Sequence, residues 1–366
     1  MRHFLDHNAG APIDPRVLEC MVAVERECPG NPASLHGPGR HARAVVEAAR
    51  AQIASALAVP ASSVLFTSGG TEANNLAVLG LGPRELPVLH SAAEHPSVAR
   101  AAESRGAVLL PVDASGQTIL EAPQQRVGLL CLVHGQSEVG TLQPVVEAAA
   151  LSKRLGVKLF VDAAQTLGRV PLGEAAALSS ALALSPHKAG GPRGVGVLIV
   201  REASALRPLL HGGGQEQALR PGTQSPALCA AAALAIALAV QERQQRAATM
   251  AAARAAFLSA LEGSATVRVL TPMPHSLPNT LCVHVPLVDG RSLLPALDLA
   301  GVEASQGAAC SSGSPTPPAV LSAMGLELAD ARACVRFSFG YAHDGGQARD
   351  AGRQTASVIA RLQKKF

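Results

Sequence analysis

Short apolar segments alternate with helical segments through the first 200 residues, and this alternation restricts the fold more than any other feature of the sequence. Segments typical of buried strands lie at Val64–Phe66, Val88–His90, Val108–Val112, Val127–Val133, Lys158–Val161, Ala181–Leu184 and Val195–Val200. Helical patterns separate several of them, as at Thr71–Leu79 and Pro144–Leu155. Strands joined by helices form a mostly parallel sheet with helices on both faces. We therefore predict an α/β fold with a seven-stranded, mostly parallel sheet covered by helices.

The pattern changes after about residue 243. Beyond it come a long helical stretch and three shorter strand-like runs, at Gln244–Glu262, Thr266–Leu270, Thr280–Val285 and Cys334–Phe339. Single cores also seldom grow beyond about 250–300 residues, and this chain has 366. We predict a large domain over residues 13–243 and a smaller α+β domain made from residues 1–12 and 244–366.

Helix signals mark the N-terminal region. Asp14 followed by Pro15 is typical of a helix start, and the pattern predicts a helix to about Glu27. Residues 30–39 are rich in glycine and proline and are predicted as a loop. A second helix is predicted from about Arg40 to Leu57.

Three of the predicted strands end in residues that could act together. Lys188 follows one strand, at a position where its amine could bond to an aldehyde. Asp162 ends another, and an Asp beside a pyridine nitrogen keeps that nitrogen protonated. The Gly69-Gly70-Thr71 turn joins a third strand to a helix, whose first amides bind phosphate. A phosphate turn, an Asp and a Lys, each after its own strand, suit pyridoxal phosphate.

Further motifs accompany these three along nearly the whole chain. They are Leu5-Asp-His-Asn-Ala9, Gly30-Asn-Pro-Ala-Ser-Leu-His36, Phe66-Thr-Ser-Gly-Gly-Thr-Glu72, Glu94-His95, Val161-Asp-Ala-Ala-Gln165, Ser185-Pro-His-Lys188, His211-Gly-Gly-Gly214, Arg220-Pro-Gly-Thr223, the loop around Cys310, and Val335-Arg-Phe-Ser-Phe-Gly340. With them the chain resembles the cysteine desulfurases of the class V aminotransferase group, which are fold type I pyridoxal-phosphate enzymes.

The resemblance implies a reaction and a set of site residues. Lys188 would carry the cofactor and move protons, His95 would stack on the cofactor ring, and Cys310 would take sulfur from L-cysteine as a persulfide, leaving L-alanine. The implied cofactor-binding residues are Gly70, Thr71, His95, Asp162, Gln165, Ser185, His187, Lys188 and, reaching the site of a neighbouring subunit, Thr223. The implied substrate-binding residues are Asn8, His36, Ser137 and Arg336, with Arg336 on the substrate carboxylate. Shared sites imply a homodimer.

Cysteine usage singles out one thiol. The seven cysteines are an odd number without a Cys-x-x-Cys pair, which argues against a disulfide framework or a structural zinc site. Six lie in strand-like or helical contexts, whereas Cys310 lies in the small polar loop from Ser305 to Ser314. That setting suits a reactive thiolate. We predict no metal site.

Charge and hydropathy restrict the partners. The net charge is only +4, and no run of Lys or Arg concentrates it, so we expect neither nucleic acid nor membrane as a partner. The longest apolar run, Ala227 to Val240, is shorter than the roughly 18 residues that span a bilayer. The N-terminus has no hydrophobic signal core. We expect a cytoplasmic protein that meets L-cysteine, a second copy of itself and a sulfur-acceptor protein.

The sequence departs from the family pattern after the fourth strand. The family usually shows Asn-Asn-Glu there, and this chain has Gln136, Ser137 and Glu138. By register, Ser137 replaces the Asn that touches the cofactor and the substrate carboxylate; Gln136 or a water is the candidate substitute. Ala163 also stands where a Thr is common.

Two alternatives stay open. One is another pyridoxal-phosphate enzyme of this fold, such as a selenocysteine lyase or an aminotransferase; an aminotransferase does not need Cys310. The other is a catalytically lapsed paralogue that acts as an assembly subunit, for which the changes at Ser137 and Ala163 are the only support. The destination of the sulfur, iron–sulfur cluster assembly or thiolation, is also open.

Overall fold

The computed structural model describes residues 2–262, 265–306 and 317–364. Their strands, numbered along the chain, are β1 His3–Phe4, β2 Val64–Thr67, β3 Val88–Ser91, β4 Ala107–Leu110, β5 Leu129–Val133, β6 Lys158–Asp162, β7 Ala181–Leu184, β8 Gly196–Val200, β9 Arg268–Val269, β10 Thr280–His284, β11 Val302–Glu303 and β12 Cys334–Ser338. The α-helices are α1 Pro15–Glu27, α2 Gly37–Leu57, α3 Gly70–Gly80, α4 Pro96–Glu103, α5 Val145–Leu155, α6 Gly173–Leu178, α7 Pro226–Gln241, α8 Arg243–Glu262, α9 Gly290–Leu299, α10 Ala319–Ala323, α11 Leu328–Arg332 and α12 Gly345–Gln363.

A seven-stranded sheet in the order β2-β8-β7-β6-β5-β3-β4 forms the centre of the fold. Strands β7, β6, β5, β3 and β4 pair in parallel, and β8 runs antiparallel to both of its neighbours. Apolar side chains from α2, α5 and α7 cover one face, and side chains from α3 and α4 cover the other. The predicted mostly parallel α/β sheet is therefore confirmed. Because parallel strands share a direction, their carboxyl ends meet at one edge, where sites of such sheets form.

A second group of strands lies beyond this sheet. Strands β12, β10 and β9 form an antiparallel sheet, and β1 pairs in parallel with β11. Phe257 of α8 packs against Phe337 and Phe339, with ring centroids 4.6 and 5.4 Å apart, in a core shared with α9 and α12. The first residues of the chain thus join its C-terminal part. The division into domains at residues 12/13 and 243/244 stays a prediction.

Helices α7 and α8 meet close to the predicted boundary, with a bend of 73° between them. In the part of the chain that the structure describes, no single helix is both long and apolar enough to cross a bilayer; only α7 and α8 taken together reach that length and apolarity.

The second helix begins earlier than the sequence predicts. Residues Gly37, Pro38 and Gly39, predicted as loop, form the first turn of α2. His36 caps this turn, because its Nδ1 accepts a hydrogen bond of 3.2 Å from the Gly39 amide. Proline is compatible with a first helical turn, where its missing N–H has no partner to lose. The prediction that the helix starts near Arg40 was wrong for this reason.

A strained turn lies between β8 and α7. Glu216, Gln217 and Ala218 all have positive φ, at 48°, 58° and 61°, a conformation that costs an L-residue about 1–2 kcal/mol. The buried Glu216 carboxylate holds the turn by accepting two hydrogen bonds of 2.9 Å from Arg50 of α2 and one of 2.9 Å from the Phe66 amide of β2. The Gln224 side chain donates another. One carboxylate therefore fixes the turn to a helix, a strand and the segment that carries Thr223.

We predict that Glu216→Gln reduces the free energy of unfolding by about 3–5 kcal/mol, because it removes the buried one of the two carboxylates that pair with the buried Arg50 guanidinium. Urea denaturation measures the change. Glu47→Gln is the matched control, since Glu47 pairs with the same guanidinium, at 3.1 Å, from an exposed position. The control should lose no more than about 1 kcal/mol. Equal losses of unfolding free energy in the two variants would contradict the prediction that Glu216 stabilises the fold more than Glu47 does.

Candidate active site

A cavity of about 150 Å³ lies where the carboxyl ends of the parallel strands face the β12 sheet. Among the residues that line it are eleven of the predicted site residues: Asn8, Gly70, Thr71, His95, Ser137, Asp162, Gln165, Ser185, His187, Lys188 and Arg336. They come from segments that are far apart in the sequence, and the sheet edge brings them together. The structure thus places most of the predicted set around one space.

Lys188 ends a short 3₁₀ turn, Pro186–Lys188, directly after β7. Its amide donates to the Ser185 carbonyl at 3.1 Å, and its own carbonyl accepts a hydrogen bond of 3.3 Å from Arg169. The backbone of this turn is therefore fixed on both sides, while the side chain lines the cavity. A lysine amine on a rigid turn is well placed for covalent chemistry.

Asp162 is the last residue of β6 and is buried. Its Oδ1 accepts a hydrogen bond of 2.9 Å from the Ala164 amide, and its Oδ2 accepts one of 2.7 Å from the side chain of Asn74. These two donors orient the carboxylate at the cavity wall. Gln165, one turn further along, donates from Nε2 to the Asn8 carbonyl at 3.0 Å and accepts from Arg169 at Oε1.

Gly69 caps the N-terminus of α3, and the first two residues of this helix, Gly70 and Thr71, line the cavity. The amide groups of this first turn have no partners inside the helix. Gly70 faces Ser185 so closely that a Cβ on it would lie 2.2 Å from the Ser185 hydroxyl. Burial, reinforced by Lys188 and Arg193, lowers the pKa of His187 to about 4. At neutral pH His187 is therefore uncharged, and this part of the cavity, lined by Gly70, Thr71, Ser185 and His187, is rich in N–H and O–H donors.

His95 caps the N-terminus of α4 and also lines the cavity. Its Nδ1 lies 3.1 Å from the Ser97 amide nitrogen, which donates to it, and 2.7 Å from the Ser97 hydroxyl. Burial lowers the pKa of His95, the nearby Lys188 lowers it further, and Asp162 opposes the shift. The ring is therefore neutral at physiological pH.

Arg336 of β12 is buried between two carboxylates. Its Nη2 donates to Asp6 at 2.6 Å, and its Nη1 donates to Glu138 at 2.8 Å and to the Ser137 carbonyl at 3.1 Å. Its Nε is buried without a hydrogen-bond partner among the described residues. Arg336 therefore reaches the cavity wall with part of its guanidinium already engaged, and its role as a substrate clamp stays a prediction.

The loop after β5 differs from what the sequence suggested. Gln136 does not line the cavity, because its Oε1 accepts hydrogen bonds from the amides of Glu138 and Val139 at 2.5 and 2.8 Å within the loop itself. Ser137 lines the cavity, and its hydroxyl is 3.4 Å from Glu138 Oε1. The idea that Gln136 replaces the family's Asn was wrong, since the loop's own amides take its oxygen.

Asn8 lies in the cavity wall with all four hydrogen-bonding positions of its side chain in use. Its Nδ2 donates to the Ser137 carbonyl and to Thr280 Oγ1, each at 2.9 Å. Its Oδ1 accepts from Arg169 at 2.9 Å and from Asn279 at 3.0 Å. Contact with a substrate through this amide would require one of these bonds to break, so its predicted substrate role is not evident from the geometry.

Three predicted residues lie elsewhere. His36 is exposed at the start of α2, and Thr223 is exposed in the segment before α7; neither lines the cavity of its own chain. Cys310 lies outside the described residues.

Sequence reasoning missed four residues that hold the predicted ones in place. Asn74 and Ser97 contact Asp162 and His95, Arg169 contacts Gln165, and Glu138 contacts Arg336. A spacing of four residues in a helix or turn brings side chains together, and Arg169 follows Gln165 by four. That spacing was the available signal for Arg169. The pairing of Asn74 with Asp162 spans 88 positions and has no local signal.

Within residues 2–262, 265–306 and 317–364, no three His, Cys, Asp or Glu side chains lie close enough together to hold a metal ion.

Comparisons with known proteins agree with the fold. The class-V aminotransferase family profile matches residues 3–347. A putative cysteine desulfurase, IscS 1, of Bacillus subtilis (strain 168) is 35% identical over 99% of this chain and 99% of its own length. The cysteine desulfurase IscS of Dictyoglomus turgidum is 34% identical over 92% of this chain and 89% of its own. A solved structure described as a NifS-like protein has a TM-score of 0.90 and 31% identity, and the match covers 99% of this chain and 100% of the other.

We predict that His134, at the end of β5, makes the protein sensitive to acid. Burial lowers its pKa to about 4, against about 6.5 in an unfolded chain. Between these values the unfolded chain binds a proton at His134 that the folded chain does not, so stability falls with falling pH by about 1.4 kcal/mol per unit. From pH 6.5 to about 5, the wild type should lose up to about 2 kcal/mol more than His134→Gln. Urea denaturation at both pH values measures this, and equal losses would contradict it.

Proposed function

Since this chain belongs to the class-V aminotransferase family, we propose that it is a pyridoxal-phosphate-dependent cysteine desulfurase, which converts L-cysteine to L-alanine and transfers the sulfur to Cys310. The supporting observation is that Lys188, Asp162 and the Gly70 turn, which lie on three different strand ends, line one cavity. The cysteine desulfurases among its relatives share about a third of its sequence over nearly its full length.

Pyridoxal phosphate fits the residues present. Gly70 lies so close to Ser185 that a Cβ would be 2.2 Å from the hydroxyl. This approach keeps a phosphate-sized set of donors together: the first amides of α3, the Thr71 and Ser185 hydroxyls and His187. Asp162 would accept from the pyridine nitrogen, Gln165 has one Nε2 hydrogen left for the phenolic oxygen, and Lys188 would bond to the aldehyde. Bound in this way, the cofactor supplies an electron sink for negative charge at the substrate carbon.

The side chains of this chain then divide the work. Lys188 Nζ would take the proton from the substrate Cα and return it, since Lys188 lines the same cavity as the residues that would hold the cofactor and the substrate. His95 would cover one face of the cofactor ring. Arg336 would orient the substrate carboxylate, and its Nε has no hydrogen-bond partner among the described residues. Ser137 and Asn8 complete this side of the cavity, Asn8 chiefly by fixing the Ser137 loop.

Cys310 performs the transfer. Its thiolate attacks the sulfur of the bound L-cysteine, so that a sulfur–sulfur bond forms as the substrate's carbon–sulfur bond breaks. The electron pair of the broken bond stays with carbon, which is protonated to give L-alanine. Cys310 keeps the sulfur as a persulfide until an acceptor protein, of iron–sulfur cluster assembly or of thiolation, receives it.

We further propose a homodimer with shared sites. The exposed Thr223 is fixed near the Glu216 turn through its neighbour Gln224, and it does not line the cavity that contains Lys188 of its own chain. In a dimer it would reach the phosphate in the other subunit. We also propose a cytoplasmic location, because a reducing compartment keeps the Cys310 thiol free.

We predict that Cys310→Ala abolishes the joint release of sulfide and alanine from L-cysteine, because the sulfur then has no nucleophile to receive it. The purified protein is incubated with L-cysteine and a thiol reductant, and both products are quantified. Cys20→Ala is the matched control, because Cys20 lies on α1 away from the cavity, and it should keep full activity. Transfer of the amino group from L-cysteine to a keto acid, at the wild-type rate in Cys310→Ala, would point to an aminotransferase. Comparing rates on L-cysteine and L-selenocysteine separates the selenocysteine lyase alternative.

We also predict that Ser137→Asn lowers KM for L-cysteine about fivefold, the effect of roughly one added hydrogen bond to the substrate. The carbonyl of residue 137 keeps its contacts with Asn8 and Arg336 in this variant, so the loop should hold its conformation. Ser137→Ala is the control, and its KM should stay near the wild-type value. An unchanged or higher KM in Ser137→Asn would contradict a substrate position for residue 137.

A further inference from the structure

The proton of a neutral His95 ring can lie on either nitrogen, and what its position means for catalysis rests on the proposed function. We propose that Asn74 and Ser97 are positioning residues that hold His95 as the neutral tautomer with its proton on Nε2, so that His95 offers the cavity a hydrogen-bond donor and not a base.

Asp162 sets the orientation of the Asn74 side chain. In its ionised form this carboxylate only accepts hydrogen bonds, and its Oδ2 lies 2.7 Å from the Asn74 amide. The NH₂ group of Asn74 must face it, because an amide oxygen at that distance would be repelled. The cost of this orientation is visible on the other side of the amide, where Asn74 Oδ1 is buried without a partner in the described part of the chain. The carboxylate therefore fixes which way Asn74 points.

Asn74 Nδ2 also determines the direction of the Ser97 hydroxyl. The second hydrogen of Asn74 Nδ2 points to Ser97 Oγ at 2.8 Å. Because Ser97 Oγ accepts there, its own hydrogen is free for another acceptor, and His95 Nδ1 lies 2.7 Å away. Ser97 therefore donates to His95.

A backbone group adds a second, independent constraint. The Ser97 amide donates to the same Nδ1 at 3.1 Å, and a backbone N–H cannot reverse its role. With two donors on Nδ1, the proton of the neutral ring lies on Nε2, since the partner of one ring nitrogen sets the state of the other. The low pKa of His95, caused by burial and by Lys188, keeps the ring neutral.

The consequence is a division of roles in the site. The Nδ1 lone pair is occupied and Nε2 already carries hydrogen, so His95 cannot accept a proton without breaking its contacts with Ser97. Proton transfer is left to Lys188. The Nε2–H group suits a negatively charged acceptor on the substrate, such as a carboxylate or a thiolate.

Nitrogen NMR of the protein labelled with ¹⁵N-histidine tests the proposal, with His95→Gln used to identify the His95 signals. At pH 7.5 the wild type should show an unprotonated Nδ1 and a protonated Nε2. Asn74→Asp should reverse the Ser97 hydroxyl, because a carboxylate at position 74 accepts from it, and His95 should then shift towards the Nδ1-protonated or the charged form. Asn75→Asp is the control, because it adds the same charge on the same helix. The Asn75 side chain contacts the backbone carbonyl of Ser97, at 3.2 Å, and not its hydroxyl.

A second pair of variants keeps the test independent of the folding of Asn74→Asp. Ser97→Ala removes one donor from Nδ1 and should lower kcat about five- to tenfold, the factor of one net hydrogen bond. Ser97→Thr keeps the hydroxyl and should restore both kcat and the wild-type spectrum.

The two proposals can fail separately. Protonated Nδ1 in the wild type, or His95 signals unchanged in both Asn74→Asp and Ser97→Ala, would overturn the proton arrangement even in an active desulfurase. The expected spectra in a protein that releases no sulfide and alanine would overturn the function and leave the arrangement supported.

Discussion

The four hydrogen bonds of the Asn8 side chain connect the parts on which the site depends. They join the first residues of the chain to the loop after β5, to β10 and, through Arg169, to the turn that carries Lys188. The carboxyl edge of a parallel sheet offers strand ends on one side only, so the far wall has to come from another part of the chain. Asn8 is the point at which the two walls meet, and its complete set of partners fixes their separation. A buried polar group with every partner satisfied makes such a contact rigid.

Buried charges perform a similar task at two other places. Glu216 holds a strained turn against α2 and β2, and Asp6 and Glu138 hold Arg336 between the N-terminal segment and the β5 loop. Ion pairs of this kind contribute little net stability because both groups lose water. Their value here is positional, since each fixes backbone segments that no sheet or helix ladder controls. Burial and the neighbouring Asp6 raise the pKa of Glu138, and Arg336 opposes that shift.

The parts of the molecule that the sequence predicts are those with local causes. The seven strands, the turn before α3 and the positions of Asp162 and Lys188 follow from apolar runs and from residues next to strand ends. The start of α2 was misjudged because a histidine cap outweighed the loop tendency of Gly37 and Gly39. Pairings such as Arg336 with Asp6 depend on contacts across 330 positions. Such pairings depend on tertiary packing alone, so no local sequence pattern predicts them.

The closeness of Gly70 and Ser185 has a consequence for how this site can change over generations. A methyl group at position 70 would meet the Ser185 hydroxyl at 2.2 Å, whereas Ser185 Cβ lies at an acceptable 3.6 Å from the same point. Alanine at position 70 therefore requires the Ser185 hydroxyl either to turn to another rotamer or to be lost, and both changes take that hydroxyl away from its present position. The two positions are thus coupled in evolution, and a laboratory library that randomises position 70 should randomise position 185 with it.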